Sequence, residues 1–179
     1  MSGDSADLER KLRENKGRLL WPEFAQALTG VLPGSDLDAR RLSVATTDDL
    51  RAGFFKRVGS DSYLDRRTWD DSERELVEGL LRTAARSHVG REYVLFHHLD
   101  RMTGAVLVDG GAVLVAAAQV WRVVREDLCL TSRDLEHGLC LELNHSGRRN
   151  ELGLVSWGDL VPLRGHSRTL AQTRDFSFG

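Results

Sequence analysis

Residues 127–144 read DLCLTSRDLEHGLCLELN, and this stretch decides the fold of the second half of the chain. Two runs in which apolar and polar residues alternate, 127–132 and 138–144, flank the polar loop RDLEH, a pattern typical of a β-hairpin. Symmetric pairing about that loop would place all the strand leucines on one face of the sheet, namely Leu128, Leu130, Leu139, Leu141 and Leu143. The other face would carry Cys129, Thr131, Cys140 and Glu142, with the two cysteines on neighbouring strands and diagonal to each other.

Other strands are predicted on both sides of this hairpin. Residues 93–96 (YVLF) and 105–108 (AVLV) indicate a second hairpin, because the segment HHLDRMTG between them is polar and ends in glycine. Residues 153–157 indicate one more strand. The run 112–125 is ambiguous, since its valines favour a strand and its three successive alanines favour a helix. We predict a helix there because a strand of that length would be unusual.

Helical periodicity dominates the first half of the chain. Leucines at positions 8, 12, 19 and 20 predict one helix, and Trp21-Pro22 predicts the start of a second, because proline is favoured in the first turn. Residues 42–45 indicate a short strand, followed by a helix capped by Thr46 and Thr47.

The helix predicted after residue 72 carries the strongest local signals. Ser72 and Glu75 have the spacing of a capping box, and Asp70 and Asp71 lie where the positive end of the helix dipole stabilises carboxylates. Apolar residues then follow three and four apart, at Val77, Leu80, Leu81 and Ala84.

Together these elements predict a single α+β domain over residues 1–179. Its N-terminal helices would pack on one face of a mainly antiparallel sheet of four to six strands, in the order α-α-(β)-α-α-β-β-α-β-β-β. Residues 1–90 form the mainly helical part and residues 91–158 the sheet-rich part. Residues 159–179 are predicted to form an edge strand and a loosely held tail.

Composition narrows the class of protein. The net charge of −2 provides no overall field that would favour nucleic acid or an anionic membrane. The first twenty residues lack the apolar segment of a secretory signal, and two cysteines do not make a disulfide framework, so we expect a cytoplasmic location. Arginine in place of lysine along the whole chain indicates a GC-rich, bacterial genome rather than a phosphate site.

One candidate catalytic group is His97-His98-Leu99-Asp100, at the end of a predicted strand. A histidine with a carboxylate partner could act as a general base, and two histidines with an aspartate could hold a metal. Adjacent histidines on a strand point to opposite faces, however, which opposes a shared ion. The alternative is a polar strand end that leads into a turn.

A second candidate combines Cys129 and Cys140 with His137 or His145 as a zinc site. The chain lacks the C-x-x-C pair that is typical of structural zinc, and buried cysteines that pack as small apolar residues are the alternative. No nucleophile elbow, H-E-x-x-H, Walker or EF-hand pattern occurs in the sequence. We therefore expect no metal or cofactor.

A third candidate is a partner-binding surface formed by Trp69, Asp70, Asp71 and Glu73. An aromatic anchor beside carboxylates suits a basic protein partner. The alternative is the solvated start of a helix.

The order of elements over residues 93–158 resembles small, uncharacterised bacterial proteins encoded beside polymorphic toxins, including immunity proteins. The residues that carry this likeness are Ser132, Asp134, Asn144, His145, Trp157 and Gly158. The resemblance implies a protein that binds and blocks a cognate toxin, with no catalytic residue of its own. Such families bind through variable surfaces, so the resemblance assigns no site residue.

The leading hypothesis from the sequence is a non-catalytic cytosolic protein-binding protein of the immunity type, whose partner is a toxin or another neighbouring gene product. One alternative is a small hydrolase or metal-dependent enzyme that uses His97, His98 and Asp100. Another is a regulatory or scaffolding domain that forms a homodimer through an uncovered sheet face. The chain would be a monomer in the first case.

Overall fold

The computed structural model describes residues 3–59, 65–146 and 149–161, and at residues 3–6, 144–146 and 149 it describes the backbone alone. Within these ranges the fold is α+β, as the sequence predicts. The helices are α1 (Gly3–Val31), α2 (Val44–Val58), α3 (Arg74–Ala85), α4 (Asp100–Thr103), α5 (Gly110–Val115) and α6 (Ala117–Val124), with a 3-10 turn at Asp71–Glu73. The strands are β1 (Asp65–Asp70), β2 (Glu92–Leu95), β3 (Val106–Asp109), β4 (Leu128–Thr131), β5 (Gly138–Ser146) and β6 (Arg149–Trp157).

The six described strands form one antiparallel sheet in the order β1-β6-β5-β4-β2-β3. Both predicted hairpins are present, β2–β3 and β4–β5. In the second, Leu128 pairs with Leu141 and Leu130 with Leu139, so the leucines share one face as predicted. The expected diagonal placement of the cysteines is wrong, because the same register sets Cys129 directly opposite Cys140.

Helices cover both faces of the sheet, which corrects the prediction that they lie on one face. The leucine face, which we call face 1, packs against α1, α3, α5 and α6 in the larger core. On face 2, Phe54 of α2 is fully buried in a smaller core together with Val94, Phe96, Ala105, Leu107, Cys129, Cys140, Val155 and Trp157. The helix α2 fits this face because Leu50, Phe54 and Val58 recur four residues apart and form one stripe.

The N-terminal helix is a single element rather than the predicted pair. It continues through Pro22, which removes one backbone hydrogen bond and costs about 3 kcal/mol in a helix interior. Trp21, Phe24 and Leu28 are each at most 5% exposed, and burial of such side chains stabilises by about 1.5–3 kcal/mol apiece. Tertiary packing therefore outweighs the local signal to break the helix.

The strand expected at residues 42–45 is also absent. Arg41 makes one isolated bridge to Val106, at the edge of β3, and α2 then begins at Val44. Ser43 caps this helix in place of the predicted threonines, since its hydroxyl accepts from the Thr46 backbone nitrogen at 3.1 Å. Thr47 is buried instead, and its hydroxyl accepts from the Ala105 nitrogen at 2.8 Å.

Strand β1 is not anticipated by the sequence, because its residues DRRTWD lack apolar alternation. Its presence moves the predicted capping box: Asp70 caps the 3-10 turn and Glu73 completes the box, in place of Ser72 and Glu75. Residues 112–125 are helical as predicted, but the helix is divided at Ala116 into α5 and α6.

At the C-terminus, residues 159–161 form a turn and a bend in which Leu160 and Val161 are buried. The remainder of the predicted edge strand and tail lies outside the described residues. Among the described helices, none combines the length and the apolar character that a bilayer crossing requires.

Replacing Gly17 with alanine should destabilise the domain by roughly 1–3 kcal/mol. Gly17 is buried where α1 crosses α4, and a Cβ atom there would collide with the Met102 carbonyl group and lie 3.0 Å from the Thr103 nitrogen. Gly30, in the same helix, has nothing within 4 Å of its would-be Cβ, so G30A should be neutral or slightly stabilising. Urea unfolding of the two variants measures the difference, and equal effects would contradict the close contact of α1 with α4.

Candidate functional site

His97 lies directly after β2, in the interior of the protein. Its ring stacks on Phe24 with the centroids 3.8 Å apart and the planes inclined by 14°. The Nε2 atom is 3.1 Å from the Gly104 carbonyl oxygen, to which it donates, and Nδ1 accepts from the Leu99 nitrogen at 3.3 Å. Burial lowers the pKa of His97 to about 3, so the ring is neutral at physiological pH with both nitrogens bonded to backbone.

His98 is half-buried and points elsewhere. Its Nδ1 donates to the Val124 carbonyl oxygen at 2.8 Å, and its ring centroid is 6.3 Å from that of His97. The two rings are inclined by 75° and bind backbone groups of different segments. Across the residues that the structure describes, no three His, Cys, Asp or Glu side chains are grouped as metal ligands.

Asp100 is 1% exposed and forms a buried ion pair with Arg51. Arg51 Nη1 lies 2.5 Å from its carboxylate, and the His97 backbone nitrogen donates to the same oxygen at 3.3 Å. Burial raises the pKa of Asp100, and the neighbouring guanidinium opposes that rise. Arg51 also reaches Glu126 at 3.3 Å, so it joins α2 to α4 and to the segment before β4. The structure thus brings His97 and Asp100 together through the His97 backbone, not through its ring.

Of the described side chains of the predicted zinc site, the structure brings the two cysteines together and groups neither with His137 as metal ligands. The Cys129 and Cys140 sulfur atoms are 3.2 Å apart in the smaller core. The contact with Cys140 and burial both raise the pKa of the Cys129 thiol, which opposes a nucleophilic thiolate. His137 lies at the hairpin loop, with Nδ1 2.8 Å from an Asp159 carboxylate oxygen. The side chain of His145 is outside the described residues.

The predicted partner-binding residues divide between the two faces and the following turn. Trp69 is half-buried on face 1, where its strand neighbour is Leu152. The Asp70 carboxylate accepts from the Ser72 nitrogen at 3.0 Å, and the Asp70 backbone nitrogen donates to the Glu73 carboxylate. Asp71 forms an ion pair with Arg74 at 2.8 Å. The hydrogen bonds of Asp70 and Glu73 and the ion pair of Asp71 therefore stabilise the 3-10 turn.

Sequence analysis named Asp70 and placed Glu142 opposite the leucines, but it did not join them to Asp127 and Glu151 in one group of carboxylates on face 2. The apolar contacts of α2 end at Cys140 and Val155, and farther along this face lie Glu142 on β5 and, after Gly153, Glu151 on β6. Asp70 pairs directly with Glu151 across β1 and β6, and Asp127 lies at the continuation of the ladder opposite Glu142. We call Asp70, Asp127, Glu142 and Glu151 the acidic face.

Within the acidic face, Asp127 is affected by the charge of Glu142. Desolvation of its carboxyl group raises the pKa of Asp127, although much of the residue is exposed, and the carboxylates of Glu142 and Glu126 raise it further. Asp70 and Asp127 are exposed and Glu142 and Glu151 partly so. The alternation of the hairpin already assigns Glu142 to this side, whereas the pairing of Asp70 with Glu151 joins strands far apart in sequence and leaves no local signal.

Four residues of the immunity-type pattern build the β4–β5 loop. The Ser132 hydroxyl donates to Asp134 at 2.5 Å, and Trp157 Nε1 donates to the Leu135 carbonyl oxygen at 2.9 Å. Gly158 adopts a φ of +68°, and a side chain there would collide with His137. The pattern therefore marks a local structure, not a group of reactive side chains.

A cavity of about 200 Å³ opens between α3 and residues 159–161. Its lining is mainly apolar, and its one titratable ring, His88, is engaged by the Tyr93 hydroxyl at 2.7 Å and the Asp159 carbonyl oxygen at 3.1 Å. Comparison with protein-family models, curated proteins and solved structures found no match to this chain.

Replacing Arg51 with methionine should lower the free energy of unfolding by roughly 3–5 kcal/mol, because the Asp100 carboxylate would be left buried without its cation. The pair Arg13–Asp48, at 2.8 Å, provides a matched control, since its side chains are 32% and 38% exposed. R13M should cost less than about 1 kcal/mol. Urea denaturation of both variants measures the free energy of unfolding. If R51M and R13M lower it by the same small amount, the Arg51–Asp100 pair does not hold α2 in place.

The free energy of unfolding should decrease as the pH falls below about 6.5, because His97 is buried in its neutral form. The unfolded chain takes up a proton on this ring as the pH falls through 6.5, whereas the folded protein does so near pH 3. Between these two values, each unit by which the pH falls should therefore lower the free energy of unfolding by about 1.4 kcal/mol. The difference between wild type and H97Q should shrink from pH 7 to pH 5. A difference that is constant over this range would contradict the neutral, buried ring.

Proposed function

We propose that this chain is a non-catalytic protein-binding domain of the immunity type, which acts in a bacterial cytosol by covering a basic toxin such as a nuclease. The observation that carries the proposal is the acidic face, where carboxylates oppose one another across neighbouring strands. The resemblance over residues 93–158 supports the same class of function.

Like charges directly opposite in a sheet destabilise it. Desolvation raises the pKa of Asp127 and the carboxylates of Glu142 and Glu126 raise it further, so its ionised form is less favourable in the folded protein than in the unfolded chain. Residues that lower the stability of a fold are typical of functional surfaces, where a partner supplies the compensating interaction. Lysine and arginine side chains of a basic partner would relieve this repulsion.

The position of the acidic face suits association with a protein. It lies beside β1, the last described strand at one edge of the sheet, and beyond the part of face 2 that α2 covers. Solvent-exposed carboxylates attract a basic surface over a distance and raise the rate of association. Trp69 belongs to β1 but faces the other side, so it supports the strand rather than the contact.

The same charges oppose a homodimer through this surface, because two copies of the acidic face would repel each other. We therefore propose a monomer that binds a different chain. Catalysis by His97, His98 and Asp100 is the weaker proposal, since the His97 nitrogens and the Asp100 carboxylate are bonded to other groups of the protein.

Co-expression with the product of each adjacent gene tests the function. The expected result is a stable complex with one product and recovery of growth in cells in which that product alone is toxic. Failure of every adjacent product to bind, or binding without protection, would overturn the immunity proposal.

Neutralising the acidic face should have opposite effects on stability and on binding. In the D127N/E151Q variant we expect the melting temperature of the free protein at pH 7 to rise by roughly 1–3 °C, because the ionised Asp127 carboxylate is less favourable in the folded protein than in the unfolded chain. Affinity for the basic partner should fall by roughly tenfold or more, with a weaker dependence on salt. Glu75, exposed on α3 behind the other face, provides the control, and E75Q should leave affinity unchanged.

Calorimetry and titration at two salt concentrations measure both effects. If D127N/E151Q binds the partner as tightly as wild type, the acidic face is not the contact surface.

A further inference from the structure

We infer that Cys129 and Cys140 form a site of reversible disulfide formation within the folded chain. This inference does not depend on the proposed function. It rests on the register of β4 and β5, on the distance between the two sulfur atoms and on the way α2 covers them.

The register places the two residues in the closest arrangement that an antiparallel pair offers. Cys129 is directly opposite Cys140, and its carbonyl oxygen accepts from the Phe96 nitrogen at 3.1 Å. Its polar backbone groups therefore face away from β5, which makes this a non-hydrogen-bonded pair with a Cα separation of about 4.5 Å. That separation lies within the Cα range that disulfides span.

The sulfur atoms already lie in contact, with Sγ to Sγ at 3.2 Å. Both side chains point to face 2, since the alternation that sends the leucines to face 1 sends the cysteines to the other. A single bond between the sulfurs would thus replace an existing contact. It would link neighbouring strands within the core that contains Phe54 and Trp157.

The reaction balances as a thiol–disulfide exchange with a low-molecular-weight disulfide. When α2 opens and water reaches the pair, one cysteine loses its proton and attacks a sulfur of the small disulfide, which releases one small thiol that takes up that proton. The second cysteine then attacks the protein sulfur of the mixed disulfide and releases the second small thiol. Two protein thiols are oxidised, one small disulfide is reduced to two thiols, and excess small dithiol reverses the change.

Access to the pair is controlled by α2. Cys129 is 6% exposed and Cys140 5% exposed, and Phe54 of α2 is fully buried in the same cluster. A small disulfide can reach the sulfurs only when α2 moves away from face 2, and local opening of this kind occurs without global unfolding. The oxidation rate should therefore report the opening of α2.

The test uses the full-length protein incubated with glutathione disulfide. We expect the thiol titre, measured after denaturation with Ellman's reagent, to fall from two to zero as the intact mass falls by two hydrogen atoms. Peptide mapping should link Cys129 to Cys140, sizing should show no covalent dimer, and dithiothreitol should restore both thiols. In C140A the linked peptide should be missing.

Two core variants separate opening of α2 from global unfolding. F54A should raise the oxidation rate by roughly tenfold or more over L81A, which removes a fully buried side chain from the larger core on face 1. Equal acceleration by the two variants would overturn control by α2. Unchanged thiols in F54A, a stable mixed disulfide with glutathione or a dimer linked through cysteine would overturn the site itself.

Discussion

The β4–β5 hairpin is closed by hydrogen bonds between Ser132 and His137, and the rest of the sheet depends on the register that they set. The Ser132 nitrogen donates to the His137 carbonyl oxygen at 2.8 Å, and the His137 nitrogen donates to the Ser132 hydroxyl at 3.0 Å. A shift of one residue would turn the leucines toward α2 and drive the Glu142 carboxylate into the larger core. Because burial of an isolated charge costs several kcal/mol, that alternative is strongly disfavoured.

From this register the two faces acquire different characters. Face 1 receives leucines from β4, β5 and β6 and is covered by four helices, so it supplies most of the apolar burial. Face 2 receives cysteines and then carboxylates, and one amphipathic helix covers only its apolar half. The ion pair of Arg51 with Asp100 fixes where that helix lies, and thereby sets the boundary between the covered cysteines and the acidic face.

Local patterns predicted the parts of the fold whose partners are close in sequence. Both hairpins, the leucine face and the helical nature of 112–125 follow from alternation, turn residues and length. Strand β1 could not be predicted because it gains its hydrogen bonds from β6, some eighty positions along the chain. Pro22 led to the wrong prediction of a helix break for a related reason. The side chains that bury α1 and keep it continuous belong to the sheet and to other helices, which are distant in sequence from Pro22.

The candidate sites show the same division. Glu142 could be assigned to the face opposite the leucines from the sequence, and so could both cysteines. Their direct opposition required the position of the loop hydrogen bonds, and the opposition of Asp70 and Glu151 required a tertiary pairing. The histidines were found readily as a motif, but their bonding to Gly104, Leu99 and Val124 depends on where the chain returns after the strand.

A group of titratable residues can stabilise the fold or bind a partner. Hydrogen bonds and ion pairs made within the protein indicate the first role. At the end of β2, the ring nitrogens of His97 and the carboxylate of Asp100 bind groups of the protein itself. Such bonds stabilise a turn that would otherwise bury polar backbone, and they hold the ring where no substrate competes for it. On the acidic face, by contrast, the like charges of Glu142 and Glu126 add to the rise in the pKa of Asp127 that desolvation causes, whereas at Asp100 the guanidinium of Arg51 opposes such a rise. A surface that holds like charges together gains most when a cation of another molecule approaches, which supports a binding role for the acids and not for the histidines.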